Sequence, residues 1–130
     1  MRVLVCGGRT FGARDGEADV LRRFLDDFAK ARGVTVVIEG GARGADRLVR
    51  EWAYRAGLEV RTFPADWARR GKFAGPIRNK RMLEQGRPDV VVAFPGGRGT
   101  ADMTRKARAA GVEVVKVDKN ARLTRKLTLG

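Results

Sequence analysis

Three glycine-rich segments carry the residues in this chain that are best suited to binding an anion. They occupy residues 7–12, 40–46 and 95–100, and each follows an apolar run that is too short for a helix. Glycine lets the backbone adopt positive φ angles and lets a ligand approach the main chain closely. The third segment opens directly into a helical pattern, whose first N–H groups would point at the ligand. The segments predict phosphate-binding turns, although any one of them alone would equally fit an ordinary strand-to-helix connection.

Polar side chains in and beside these turns could add direct contacts to the ligand. An arginine within a turn can grip phosphate oxygens through two hydrogen bonds, and solvent exposure is the alternative for each one. Trp67 could stack on a base or anchor its loop to the core. Asp46 could face the ligand or complement the dipole of its helix. The predicted ligand-binding residues are Gly7, Gly8, Arg9, Gly40, Gly41, Arg43, Gly44, Asp46, Trp67, Arg78, Asn79, Gly96, Gly97, Arg98, Gly99 and Thr100.

Catalysis, if there is any, must rely on carboxylates, arginines and backbone groups. The chain has no histidine, which excludes imidazole bases, Ser-His and Cys-His nucleophile pairs and imidazole metal ligands. Its single cysteine, Cys6, lies inside an apolar run and is expected to be a buried structural thiol. We therefore expect no metal site and no cofactor. The carboxylates near the strand ends that could hold a proton are Asp66, Glu39 and Asp102.

Composition indicates one globular domain with a strong positive charge. The chain has 130 residues, with 28 Lys+Arg against 15 Asp+Glu and a formal net charge of +13. Such an excess attracts nucleic acid or phosphorylated ligands, although many of the arginines fall on polar helix faces where solvation explains them. No apolar run is long enough to cross a membrane, and no signal-peptide pattern is present. We expect a cytoplasmic protein that does not bind a membrane.

The elements that position these residues alternate between strands and helices. Buried strands are predicted at 2–6, 34–38, 58–63, 90–93 and 112–117, and helices at 17–32, 45–56, 77–84 and 101–110. Residues 65–75 are predicted to form a loop, and the basic residues 118–130 to form a tail with a short helix or a frayed end. Apolar strands that alternate with amphipathic helices indicate a parallel sheet covered on both faces. All three glycine-rich turns then lie at the carboxyl edge of that sheet, where ligands bind in such folds.

Five ordered segments resemble the small YspA-like, cpYpsA-related branch of the SLOG superfamily. They are G-G-R-T-F at 7–11, G-G-A-R-G-A-D at 40–46, P-A-D-W at 64–67, G-P-I-R-N at 75–79 and P-G-G-R-G-T-A-D-M at 95–103. The resemblance implies a SLOG domain over residues 1–117 with a Rossmann-like, three-layer α/β sandwich and a mostly parallel sheet of about five strands. It also implies a nucleotide or nucleotide-derived ligand, a bacterial or phage-encoded protein, and compatibility with a homo-oligomer.

Two more distant families bear on the activity. P-G-G-R-G-T is similar to a motif of the LONELY GUY phosphoribohydrolases, which cleave the N-glycosidic bond of a nucleoside monophosphate. That family has a glutamate three residues after the threonine, and this chain has Met103 there. Met103 shares a helical face with Ala107 and Ala110, which favours a place in the core. The DNA-processing protein A family uses the same fold to bind single-stranded DNA.

The sequence therefore favours a protein that binds a nucleotide-type ligand, with phosphate on the glycine-rich turns. Hydrolysis of an N-glycosidic or phosphate bond stays open. The alternative is a module that binds single-stranded DNA through its basic surface, and a third reading is an assembly protein with a vestigial pocket. Salt separates the first two, because binding to nucleic acid weakens steeply as salt rises.

Overall fold

The computed structural model describes residues 1–120, which form five strands and five α-helices in alternation. The elements are β1 (Arg2–Cys6), α1 (Glu17–Arg32), β2 (Val36–Glu39), α2 (Ala45–Arg55), β3 (Glu59–Thr62), α3 (Trp67–Arg70), a 3₁₀ turn (Gly71–Phe73), α4 (Ala74–Gly86), β4 (Val90–Ala93), α5 (Arg98–Ala109) and β5 (Glu113–Lys116). Residues 121–130, most of the predicted tail, lie outside the described residues.

The strands form one sheet in the order β3-β2-β1-β4-β5, and every pair of neighbours is parallel. The chain builds β1, β2 and β3 outward in one direction and then returns to the centre with β4, which pairs with β1 in register from Val3–Val90 to Cys6–Ala93. The strand order therefore reverses between β1 and β4. In open α/β sheets the carboxyl ends at such a reversal diverge and leave a crevice.

Helices cover both faces of the sheet, which confirms the predicted α/β sandwich. Because successive side chains of a strand point to opposite faces, Val3 and Val5 pack with α1 and α2, whereas Leu4 and Cys6 pack with α4 and α5. All four of these β1 side chains are buried. The central strand is therefore enclosed in core on both sides, as its uniformly apolar sequence requires.

One predicted strand differs from the buried strands expected. β3 has the sequence Glu-Val-Arg-Thr, and only Val60 among its residues is partly buried. The reason is its place at the edge of the sheet, where it pairs with β2 alone. Glu59 and Arg61 pair with each other at 2.8 Å on that edge, and charged side chains of this kind discourage pairing with a further strand.

Two helices begin earlier than predicted, and the predicted loop at 65–75 is wrong. Asp66 accepts a hydrogen bond from the Arg69 amide and begins α3. α4 begins at Ala74 rather than at residue 77, because Pro76 lies in the first turn, where a missing N–H costs no intrahelical bond. α5 begins at Arg98 rather than at residue 101, so that part of the third glycine-rich segment is helical. Among the described residues, no helix combines the length and the apolar character that crossing a bilayer requires.

Candidate functional site

A cleft of about 1270 Å³ opens at the carboxyl edge of the sheet, at the reversal between β1 and β4. Its walls come from the turns after β1 and β4, from α3 and from the first turns of α4 and α5. Most of the residues singled out from the sequence line it. They are Gly7, Gly8, Arg9, Asp46, Trp67, Arg78, Asn79, Gly96, Gly97, Arg98, Gly99, Thr100 and Asp102. The other predicted residues, Glu39, Gly40, Gly41, Arg43, Gly44 and Asp66, do not line it.

The turn after β4 presents the open N-terminus of α5 to the cleft. Ala101 donates the first hydrogen bond of the helical ladder, to the Gly97 carbonyl at 3.0 Å, so the amides of residues 98–100 precede that ladder. A Cβ built on Gly97 or on Gly99 would meet no atom within 4 Å. The space in front of these amides is therefore open, and the dipole of α5 makes it favourable for a negative charge.

The turns after β1 and β4 are in direct contact with each other. The Gly8 amide donates to the Pro95 carbonyl at 2.8 Å, and a Cβ on Gly8 would lie 3.2 Å from Cα of Gly96. A Cβ on Gly7 would lie 2.7 Å from Cβ of Ala45 in α2. The glycines here allow backbone to pack on backbone, and together they make a continuous floor for the cleft.

The turn after β2 packs against the turn after β1 and so stabilises this floor. The Ala45 amide donates to the Gly8 carbonyl at 3.0 Å. Gly44 has φ +75°, and a Cβ there would overlap the backbone of Gly8 and Arg9. Gly41 also has a positive φ, and Arg43 is exposed away from the cleft. These residues shape the first turn without facing the cleft themselves.

Two of the three predicted catalytic carboxylates lie away from the cleft. Glu39 is fully buried and accepts hydrogen bonds from the Gly41 amide at 2.7 Å, from Arg50 at 3.1 Å and from the Thr62 hydroxyl. These contacts fix the turn after β2. Asp66 is exposed and begins α3. Neither carboxylate is positioned to reach a ligand in the cleft.

The third carboxylate, Asp102, lies in the cleft but is held by neighbouring groups. Lys106 contacts both of its oxygens at 2.7 Å, and Arg105 contacts one at 2.8 Å. Burial acts against the charge of Asp102, but hydrogen bonds from Lys106 and Asn79 keep its pKa below the ordinary value. Asn79 is buried and also donates to the Gly99 carbonyl at 3.1 Å, which joins α4 to the first turn of α5. Asp102 is therefore a stable anion that organises the turn.

Asp46 and Arg78 both line the cleft and both lie next to Gly40. Arg78 donates to the Gly40 carbonyl, and Asp46 accepts from the Ala42 amide at 3.2 Å. A Cβ on Gly40 would overlap both side chains, so only glycine leaves room for them. Burial, together with the negative charge of Glu39, raises the pKa of Asp46 to about 6 from an ordinary 3.8. Burial also lowers the pKa of Arg78, although the charge of Asp46 partly offsets this.

Arg9 and Trp67 form one wall of the cleft. The Arg9 guanidinium lies 4.7 Å from the centre of the Trp67 ring, at the distance of a cation–π contact. Trp67 keeps 47% of its surface exposed. The sequence indicated each residue separately but not their contact. It also missed Arg14, Lys72 and Arg105, which line the cleft from positions without a distinguishing motif.

Cys6 lies at the bottom of the cleft but is buried, and burial raises its pKa to about 12. It is therefore a structural thiol. Among residues 1–120, no three His, Cys, Asp or Glu side chains cluster in a way that could hold a metal ion.

Comparisons with known proteins agree with this architecture. The Gene 61 protein of Mycobacterium phage D29 is 39% identical over 121 residues, which span 88% of this chain and 94% of the phage protein. The X-ray structure of TM1055, a structural genomics target, matches with a TM-score of 0.66 at 24% sequence identity, over 88% of this chain and 72% of that chain. This second likeness shows a shared fold. A family model described as "YspA, cpYpsA-related SLOG family" matches residues 1–70, more than half of the chain. The chain therefore belongs to the YspA, cpYpsA-related SLOG family.

Proposed function

We propose that the cleft binds a nucleotide or nucleotide-derived ligand, with a phosphate group at the first turn of α5. The observation that carries this proposal is the open helix N-terminus, where the amides of residues 98–100 precede the helical ladder and Gly97 and Gly99 leave the space before them empty of side chains. Backbone N–H groups in this arrangement bind phosphate through hydrogen bonds and through the helix dipole.

Charge at the mouth of the cleft supports the same proposal. Arg98 is exposed beside the turn and forms no ion pair with any described carboxylate. The carboxylates that line the cleft already accept hydrogen bonds from the protein. They are Glu17, Asp46 and Asp102. The cleft therefore has an excess of positive charge that favours an anionic ligand.

The size and lining of the cleft favour a nucleotide over a bare phosphate ion. A volume of about 1270 Å³ exceeds what one phosphate fills and is ample for a ligand of nucleotide size. The exposed ring of Trp67 offers a flat apolar surface to a base. Membership of the SLOG family agrees with a ligand of this class.

Hydrolysis of the ligand is not part of this proposal. Glu39 and Asp66 lie away from the cleft, and Asp102 is bound by Lys106 and Arg105. Met103, at the position of the LONELY GUY glutamate, is fully buried. Ala107 is buried with it, although Ala110 on the same predicted face is exposed. The proposed role is binding of the ligand.

A thermal-shift and calorimetry screen tests the proposal. Protein freed of nucleic acid would be titrated with AMP, GMP, ADP-ribose, NAD, cyclic nucleotides and a short single-stranded oligonucleotide, each at low and high salt. We expect at least one small nucleotide to raise the melting temperature at both salt concentrations, because a ligand of the native state stabilises it. Stabilisation by the oligonucleotide alone, lost at high salt, would contradict the proposal and assign the function to the basic surface.

A pair of variants on one helix locates the binding position. Arg98→Gln removes a positive charge beside the proposed phosphate, and Arg108→Gln removes the same charge from the last turn of α5. We expect Arg98→Gln to weaken binding of the small nucleotide about tenfold, as the loss of one charge-assisted hydrogen bond does. Arg108→Gln should leave binding unchanged. Equal effects would show that net charge, rather than this turn, determines binding.

A further inference from the structure

We propose that the ligand contains two linked phosphates, and that Arg9 and Arg78 together bind the second one. This inference rests on the proposed function, because it assumes a first phosphate at α5. It narrows the ligand class to nucleotides that carry a diphosphate, either terminal as in ADP or bridging as in ADP-ribose.

The first argument is that Arg78 is a half-buried cation whose hydrogen-bonding capacity is only partly used. Its NH1 group donates to the Gly40 carbonyl, and its Nε donates to Asn79 at 3.0 Å. Among residues 1–120 it forms no ion pair within 4 Å, and its other guanidinium nitrogen has no partner. Arg78 lines the cleft, so this partly desolvated guanidinium can donate its unused hydrogen bonds to an anion that enters there.

The second argument is that Arg9 and Arg78 line the same cleft, from the turn after β1 and from α4. The charge of Arg9 disfavours the charged form of Arg78. Two like charges that face one cleft cost free energy unless an anion lies between them. Arg9 is also fixed in place by its contact with Trp67, at 4.7 Å. Two guanidinium groups held in this way can grip one phosphate from both sides.

The third argument is that this pair flanks the first phosphate position closely. Arg9 directly follows Gly8, which packs on Gly96 in the turn before α5. Arg78 directly precedes Asn79, whose side chain donates to the Gly99 carbonyl in the first turn of α5. Each arginine is thus the sequence neighbour of a residue that contacts the phosphate-binding turn directly. Both arginines therefore enter the cleft beside that turn, which is the placement that a second phosphate linked directly to the first requires.

Calorimetry with AMP, ADP and ADP-ribose, and with GMP and GDP as guanine counterparts, tests the inference. For the wild-type protein we expect the diphosphates to bind at least about tenfold more tightly than the matching monophosphate. Arg78→Gln should weaken binding of the diphosphates more than binding of the monophosphate, and so reduce that advantage. Arg81→Gln, which removes an exposed charge from the same helix outside the cleft, should preserve it. Comparison of ADP with ADP-ribose then separates a terminal diphosphate from a bridging one.

The outcomes separate the diphosphate inference from the proposed function. Equal affinity for mono- and diphosphates, or equal weakening of both by Arg78→Gln, would overturn the inference and leave the proposed nucleotide site intact. Absence of binding by every nucleotide would contradict the proposed function itself. Since Arg78 also holds Gly40, Arg9→Gln serves as a second variant at an exposed position. It should reduce the diphosphate advantage without lowering the melting temperature of the free protein.

Discussion

Replacement of Gly97 by aspartate is the sharpest test of the phosphate position at α5. Gly97 is the N-cap of that helix, with φ −101° and ψ −139°, outside the left-handed region of positive φ that favours glycine. A Cβ there would meet no atom within 4 Å. Aspartate is also a favoured N-cap, because its carboxylate accepts hydrogen bonds from the amides two and three residues on. We therefore expect Gly97→Asp to fold.

The same carboxylate would occupy the place proposed for the phosphate. Its oxygen would accept from the amides of Gly99 and Thr100, which the ligand would otherwise use. A phosphate charge about 5 Å away would meet a repulsion of about 3 kcal/mol at an effective dielectric constant of about 20. That energy corresponds to a loss of affinity of about 100-fold, before the loss of the amide contacts is counted.

Gly97→Asn is the matched control. Asparagine caps the helix through the same amides and has nearly the same shape, but it carries no charge. Calorimetric titration with the best nucleotide of the screen would compare wild type, Gly97→Asn and Gly97→Asp at low and high salt. The asparagine variant should lose less affinity than the aspartate variant, and the difference between the two should shrink as salt rises.

The outcome that refutes the reasoning is equally concrete. If Gly97→Asp retains its melting temperature and binds the nucleotide within about threefold of the wild type, the phosphate does not lie at this helix N-terminus. Equal losses in both variants would assign the effect to side-chain volume rather than to charge.

Three further predictions follow from buried groups. Burial raises the pKa of Asp46 to about 6, so the folded protein binds the proton of this carboxyl group more tightly than the unfolded chain does. The free energy of unfolding should therefore fall by about 2 kcal/mol between pH 4 and pH 7 on account of this group. Asp46→Asn should remove this pH dependence of the free energy of unfolding, as measured by urea denaturation at the two pH values. Parallel pH profiles for the variant and the wild type would contradict this prediction. Met103→Glu should lower the free energy of unfolding by about 4 kcal/mol or more, because it places a carboxylate in the apolar core. Stability near that of the wild type would show that residue 103 reaches solvent. Cys6 should not react with a thiol reagent in the native protein but should react fully in urea, whereas fast native labelling would mean that the cleft floor opens.

The sequence predicted the sheet well because buried strands carry a local signal. Runs such as residues 2–6 and 90–93 are apolar throughout, and only a parallel sheet covered on both faces buries every side chain of such a run. β3 was predicted as a strand, but its exposure was not, since an edge strand that pairs with β2 alone leaves most of its side chains in solvent. The start of α5 at Arg98 was also missed, because glycine and proline normally mark the region before a helix rather than its first turn.

The location of the cleft was predictable, but the contacts between its side chains were not. The glycine-rich segments located its floor, since parallel strands bring their carboxyl ends to one edge. The separation of Glu39 from the cleft was not predictable, because it depends on Arg50 and Thr62, which lie on two other elements. The contact between Arg9 and Trp67 likewise joins residues 58 positions apart through the tertiary fold.

The packing around individual glycines also determines which positions of the cleft tolerate a side chain. Gly7, Gly8 and Gly96 form the floor against neighbouring backbone or side chains, so a larger residue at any of them would displace an adjoining turn. Gly97 and Gly99 adjoin only open space, so side chains there could narrow the rim of the cleft while the fold stays the same. Substitution at the rim can therefore reshape the cleft of this protein, whereas substitution on the floor would disturb the turns that build it.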